Sequence, residues 1–206
     1  MTRNIVIIDY GVGNILSIKN AISFNGFDAI VTSNPEKIRK ATHIILPGVG
    51  AYPSAIKKLK KMNLIETIKE AKNNSYILGI CLGMQLLFSS SEEFEFTEGL
   101  DLIKGKIIKL NNKNKNSNLK LPNIGWESIE IKKDPIFEGI SNNSDFYFVH
   151  SFHLKLSDSK YCLAKYKMGD EKIVAMIKKN NIVATQFHPE KSQENGLKLL
   201  ENFLTM

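Results

Sequence analysis

Tyr76-Ile77-Leu78-Gly79-Ile80-Cys81-Leu82-Gly83-Met84-Gln85-Leu86-Leu87-Phe88 is the stretch whose reading decides the fold. Its first five residues form a short apolar run behind the polar Asn73-Asn74-Ser75, the pattern of a buried strand. From Leu82 onward the pattern suits a helix, expected over Leu82–Ser90. Cys81 thus falls on a strand-to-helix turn between Gly79 and Gly83, a nucleophile elbow with sulfur in place of oxygen. A residue held on so sharp a turn crowds its neighbours, so the positions two before and two after it must lack side chains. The helix that follows directs backbone N–H groups and the positive end of its dipole at the sulfur, which favours the thiolate form. Taken alone, the pattern also fits a structural cysteine buried in a tight glycine turn.

Outward from this turn, the first half alternates strands with helical segments. Strands are expected at Arg3–Asp9, Asp28–Thr32 and Thr42–Pro47, and helices at Asn14–Asn25, Pro35–Lys40 and through the Lys-rich sequence up to Asn73. Crossovers of this length imply a parallel sheet covered by helices on both faces. The second half carries short strand-like runs at Gly105–Leu110, Ser128–Ile131, Phe146–His150, Phe152–Leu156, Tyr161–Lys165, Lys172–Ile177 and Ile182–Phe187, read as antiparallel additions to that sheet. A closing helix, Gln193–Leu204, puts Leu197, Leu200 and Leu204 on one face. The polar, low-complexity tract Asn111–Lys120 is expected to be a mobile surface loop. With no internal repeat and no linker, the expectation is one α/β domain over residues 1–206, an open, mostly parallel sheet with antiparallel additions.

Composition narrows the function. The chain of 206 residues is 43% hydrophobic and 24% charged, as expected of a globular core rather than a disordered or fibrous chain. No apolar stretch approaches the roughly 20 residues of a membrane span, and the apolar run after Met1 is too short for a secretory signal, so a cytoplasmic protein is expected. The net charge of +7 comes from 28 basic residues, of which only Arg3 and Arg39 are arginines able to read bases with a planar fork. The lysines are scattered, which makes a solvated basic surface and not a nucleic-acid site. Cys81 and Cys162 lie far apart, without metal-ligand spacing. Cys162 has no elbow and reads as a structural thiol, and His43 as structural or exposed. The run Glu92, Glu93, Glu95 and Glu98 reads as a solvated segment.

Two further motifs complete a chemistry. Gln186-Phe187-His188-Pro189-Glu190 ends a late strand; residues i and i+2 of extended chain share a side, and Pro189 keeps His188 out of the helical region. A cysteine nucleophile needs a base that takes and returns its proton, and that base needs an acid to orient it. Leu46-Pro47-Gly48-Val49-Gly50-Ala51 follows the third strand, and in an open parallel sheet the loops past the carboxyl ends of the strands build the site. The glycines would let the Val49 peptide present an N–H which, with that of Leu82, is expected to make an oxyanion hole, although the loop taken alone also fits a plain turn.

In the order Cys, His, Glu these residues resemble the class I (triad) glutamine amidotransferases. Asp9-Tyr10-Gly11-Val12-Gly13-Asn14, Gly125-Trp126 and Tyr147-Phe148-Val149-His150-Ser151, together with the motifs above and Lys191-Ser192, resemble within them the glutaminase subunits of imidazole glycerol phosphate synthases, over nearly the whole chain. The resemblance implies catalysis by Cys81, His188 and Glu190, oxyanion donors at Val49 and Leu82, and glutamine held by Gly50, Leu82, Gln85, His150 and Ser151. It implies that Asn14, Trp126 and Lys191 face a (β/α)8-barrel cyclase in a heterodimer. There the ammonia serves to form imidazole glycerol phosphate and AICAR from PRFAR in histidine biosynthesis. No metal or organic cofactor is implied. Asn123 and Phe152 depart from the family's usual residues. A paralogue feeding another synthase, a different Cys hydrolase and a non-catalytic subunit stand as alternatives.

Overall fold

The computed structural model describes residues 3–110 and 121–206, so the Asn111–Lys120 tract lies outside the described residues. The strands are β1 (Ile5–Ile8), β2 (Ala29–Thr32), β3 (His43–Leu46), β4 (Tyr76–Ile80), β5 (Ser90–Ser91), β6 (Thr97–Glu98), β7 (Gly105–Lys109), β8 (Asn123–Ile131), β9 (Ser144–His150), β10 (Phe152–Leu156), β11 (Cys162–Met168), β12 (Glu171–Lys179) and β13 (Ile182–Thr185). The helices are α1 (Ile15–Phe24), α2 (Pro35–Arg39), α3 (Tyr52–Lys61), α4 (Leu64–Ala71), α5 (Leu82–Leu86) and α6 (Gln193–Leu204).

Among the described residues, nine strands form one sheet in the order β2-β1-β3-β4-β13-β12-β11-β8-β9. It is parallel from β2 to β13 and antiparallel from β13 to β9. The parallel strands are apolar on both faces: β1, β3 and β13 are buried at every position. One apolar core lies on each face. The first takes Ile18 and Ile22 of α1 and Leu199, Leu200 and Phe203 of α6; the second takes Ile38 of α2 and Leu59, Ile68 and Leu86 of the helices that follow.

Three expectations need correction. The runs at β7 and β10 do not extend the main sheet; with β5 and β6 they form a second sheet in the order β10-β7-β5-β6. The helix after Cys81 stops at Leu86 and not at Ser90. Its last carbonyls are claimed from outside: Leu100 N–H donates to Leu86 O at 2.9 Å, Leu102 N–H to Leu87 O at 2.9 Å and Asp101 N–H to Phe88 O at 3.1 Å. On α6 the buried face is rotated, with Gly196, Leu199 and Phe203 beside Leu200 and Leu204 while Leu197 is only partly buried. Among the described residues no helix is long and apolar enough to cross a membrane.

Candidate active site

The site follows from strand register. In the parallel part of the sheet Thr185 of β13 is paired with Ile80 of β4, and Leu46 of β3 with Gly79 of β4. The residues that leave these three strands at their carboxyl ends, Pro47–Gly50, Cys81 and Gln186–Glu190, therefore emerge side by side. Cys81 N–H still donates to Thr185 O at 2.7 Å, so the ladder extends to the elbow itself.

At the elbow Cys81 adopts φ 53° and ψ −111°, a region that non-glycine residues rarely occupy. Its glycines are required sterically. A Cβ at Gly79 would stand 2.8 Å from Leu87 Cδ1 and 2.9 Å from Gly83 O, and one at Gly83 would collide with the carbonyl oxygen of Leu46. Gly48 packs against the other side of the turn, where a Cβ would meet Gly83 N at 2.5 Å and Leu82 Cβ at 2.7 Å. The loop is supported from beneath by Tyr10, whose hydroxyl donates to Pro47 O at 2.6 Å. Burial, reinforced by the nearness of Cys81, keeps that hydroxyl protonated.

The three triad candidates come together. His188 Nδ1 and Glu190 Oε1 are 2.8 Å apart, with both side chains 1% exposed. Glu190 reaches this position from a 3-10 turn, Pro189–Lys191, and not from extended chain as expected; Ser192 Oγ locks the turn by donating to His188 O at 2.6 Å. Burial alone would lower the His188 pKa, but the Cys81 sulfur and the Glu190 carboxylate outweigh it and raise it to about 10. The pair of partners thus favours a charged ring once the sulfur has given up its proton. His188 Nε2 makes no hydrogen bond while the thiol points elsewhere, yet the Cys81 sulfur is near enough to be the largest of the influences that raise its pKa, first as a hydrogen-bond partner and then as a charge. The thiol instead points to Val149 O at 3.7 Å.

Val49, Gly50, Cys81, Leu82, Gln85, Glu93, His150, Ser151 and His188 all border one cavity of about 330 Å³. The loop residue Gly50 has φ +108°, and Val49 is 42% exposed. The His150 ring is held within the wall by both nitrogens: Nδ1 donates to Phe152 O at 2.8 Å and Nε2 accepts from Tyr166 O–H at 2.9 Å. Asn123 Nδ2 in turn donates to Tyr166 Oη at 3.3 Å, so this departure from the family pattern joins the support of the site.

Burial pushes His150 down to about 4 against the lifting effect of the Phe152 carbonyl, and burial likewise lowers His43 and His153. A histidine held neutral in the fold but free to charge when unfolded stabilises the protein above about pH 6.5 and loses that contribution as pH falls toward its folded value. For His150 the shift from 6.5 to about 4 corresponds to about 3 kcal/mol. His188, raised to about 10, contributes its full stabilisation below about pH 6.5 and loses it only as pH rises toward its folded value, so it adds no slope in this window. Urea midpoints are therefore expected to fall steadily between pH 6.5 and 4.5, and the slope is expected to flatten in His150→Gln; a flat wild-type profile would contradict it.

Trp126 is 46% exposed and meets the Tyr147 ring edge-on at 5.9 Å, while the Lys191 ammonium stands 5.6 Å over the same ring. These two interface candidates share one surface. Asn14 stands at the start of α1, which packs against the Pro189–Lys191 turn that carries Lys191.

Two residues carried no role in the sequence reading. Glu93, assigned to a solvated run, accepts from Tyr52 N–H at 2.7 Å and is the carboxylate in the cavity wall. Gln186 is fully buried beside the sulfur, with Nε2 at 3.8 Å from Sγ. Neither has a local signal, since both are placed by contacts distant in sequence. Cys162 is buried, and burial raises its thiol pKa, consistent with a structural thiol. His43 is 2% exposed and stacks on Tyr76.

The family model described as glutamine amidotransferase class-I matches residues 6–206. The imidazole glycerol phosphate synthase subunit HisH 1 of Campylobacter jejuni is 46% identical over 97% of this chain and 98% of its own length. The HisH subunit of Methanosarcina barkeri is 45% identical over 99% of each chain. Among solved structures, PurLQS of Thermotoga maritima superposes with a TM-score of 0.71 at 20% identity, over 100% of this chain and 99% of that one, which speaks to the fold alone.

Proposed function

The chain belongs to the class-I glutamine amidotransferases, and from that premise we propose that it is the glutaminase subunit of an imidazole glycerol phosphate synthase. It hydrolyses glutamine to glutamate and ammonia, and a barrel cyclase subunit uses the ammonia to make imidazole glycerol phosphate and AICAR from PRFAR in histidine biosynthesis. Residues 1–206 act as one amidotransferase domain in the cytoplasm. The observation that carries this reading is the meeting of Cys81, His188 and Glu190 at one end of a cavity that also presents Gln85 and Ser151.

Glutamine enters with its side-chain amide toward Cys81. Its ammonium faces Glu93, the cavity carboxylate, and its polar groups meet Gly50, Gln85 and Ser151, with His150 shaping the wall. The sulfur turns from Val149 O toward His188 and passes its proton to Nε2, and the resulting thiolate attacks the amide carbon beside the imidazolium. N–H groups of Val49 and Leu82 receive the oxyanion, each worth about 3–4 kcal/mol by analogy with measured donors. His188, charged and held by Glu190, gives its proton to the departing ammonia. A glutamyl thioester remains on Cys81. His188 then takes a proton from water, which hydrolyses the thioester and restores the thiol.

Ammonia released into water at neutral pH becomes ammonium and loses its nucleophilicity, so it must pass directly to the partner. Trp126, Lys191 and Asn14 form the docking side, with the exposed Ile124, 60% accessible, next to Trp126. We infer that the Val49 peptide, followed by Gly50 at φ +108°, turns to complete the oxyanion hole when the partner is liganded. The test is glutamate release by the chain alone, with the cyclase subunit, and with that subunit plus PRFAR. Turnover is expected to rise at least about tenfold in the last case, a coupling of ordinary size; equal turnover in all three would count against the assignment.

A further inference from the structure

We propose that Gln186 is a positioning residue whose side-chain N–H holds the Cys81 sulfur, its amide being oriented by a relay that starts at the carbonyl oxygen of Phe152. The proposal rests on Cys81 being the nucleophile.

Gln186 directly follows Thr185, the last residue of β13, whose carbonyl accepts the Cys81 N–H, so register alone sets it beside the elbow. Its backbone N–H is anchored on Ala175 O at 2.8 Å, and the residue is 0% exposed. The side chain has two contacts. Nε2 donates to Cys81 Sγ at 3.8 Å, and Oε1 accepts from Gln85 Nε2 at 3.2 Å.

An amide can be turned over in place, so its direction needs a physical cause. Gln85 Nε2 also donates to Phe152 O at 3.1 Å. A backbone carbonyl can only accept, so Gln85 must present its NH2 group there. The second hydrogen of that group goes to Gln186 and requires an oxygen to receive it. Gln186 is left with its NH2 facing the sulfur. Turning either amide would set two acceptors or two donors against each other in a buried place, which costs more than the bonds themselves contribute. His150 Nδ1 donates to the same Phe152 oxygen at 2.8 Å, so the relay begins at an atom fixed twice over.

A donor aimed at sulfur favours the charged sulfur over the neutral thiol and limits where the atom can sit. Gln186 thus acts through Cys81.

The test is the pH profile of alkylation of Cys81 by iodoacetamide, followed on the Cys81 peptide by mass spectrometry in the full chain. The variants are Gln186→Met, which keeps length but removes the donor, and Gln186→Glu, which keeps the shape and removes the NH2. Thr185→Val serves as control, because it deletes the neighbouring buried bond from Oγ1 to Phe187 O without touching the sulfur. Both Gln186 variants are expected to shift the profile to higher pH by about one unit, making alkylation about tenfold slower on its rising limb. Thr185→Val is expected to overlay the wild type. Overlay of either folded Gln186 variant on the wild type would overturn the proposal, as would an equal shift in Thr185→Val; should Gln186→Met fail to fold, the nearly isosteric Gln186→Glu decides. Glutamate release by Cys81→Ala separates the two readings: full release there sinks the nucleophile assignment, whereas an unmoved profile beside a dead Cys81→Ala sinks only the role of Gln186.

Discussion

Cys81→Ala is expected to lower glutamate release by at least about 10⁴-fold, a loss of the size seen when a nucleophile is removed from a catalytic triad. The stability of the fold is expected to stay within about 1 kcal/mol of the wild type. Alanine keeps the Cβ, so the strain of φ 53° is the same; the sulfur it removes makes long contacts to Val149 O and Gln186 Nε2, and its influence on His188 is partly kept by Glu190, which still pairs with the ring. Initial rates with purified protein, beside a thermal melt of the same sample, check both halves. Residual turnover near the wild-type rate in a folded Cys81→Ala protein would remove the basis of the mechanism.

Glu190→Gln is expected to cost about 10²–10⁴-fold in kcat, with a much smaller change in KM. The substituted side chain has nearly the same shape, and it lies behind the ring, away from the cavity lining. What it lacks is charge. The carboxylate is one of the groups that hold His188 cationic against the opposing effect of burial, and it fixes which ring nitrogen faces the sulfur. With an amide there, the imidazole is expected to titrate at lower pH and the activity profile to lose its alkaline side. Unchanged kcat across pH 6 to 9 would contradict the role given to Glu190.

Much of this was legible in the sequence, and the reason is local. β4 coincides with the expected Tyr76–Ile80 because an apolar run between a polar stretch and a glycine turn has few other outcomes. The elbow was legible because its steric demand is written in two glycines. The second sheet was not legible: Gly105–Lys109 and Phe152–Leu156 alternate like any half-buried strand, and only tertiary packing decides which sheet they join. Strands of two residues, such as Ser90–Ser91, carry no periodicity at all. The same holds for the site. Cys81, His188 and Glu190 stand in motifs, whereas Glu93 is drawn to the cavity by a bond to Tyr52 N, 41 residues away in sequence, and looks like surface charge until that bond is known.

The place of β13 has a consequence for how activity arises. This late strand lies between β4 and β12, inside the sheet rather than at its rim, and it delivers the imidazole and the carboxylate to a sulfur made about a hundred residues earlier. On the proposed roles, a nascent chain that holds only the first four strands has the nucleophile but neither its base nor its orienting acid, and is expected to be silent toward glutamine. Activity is expected only once the β12–β13 hairpin pairs with β4, a pairing of long sequence separation of the kind that forms slowly. Synthesis and hydrolysis would thus be ordered in time, with no ammonia expected from a half-made molecule.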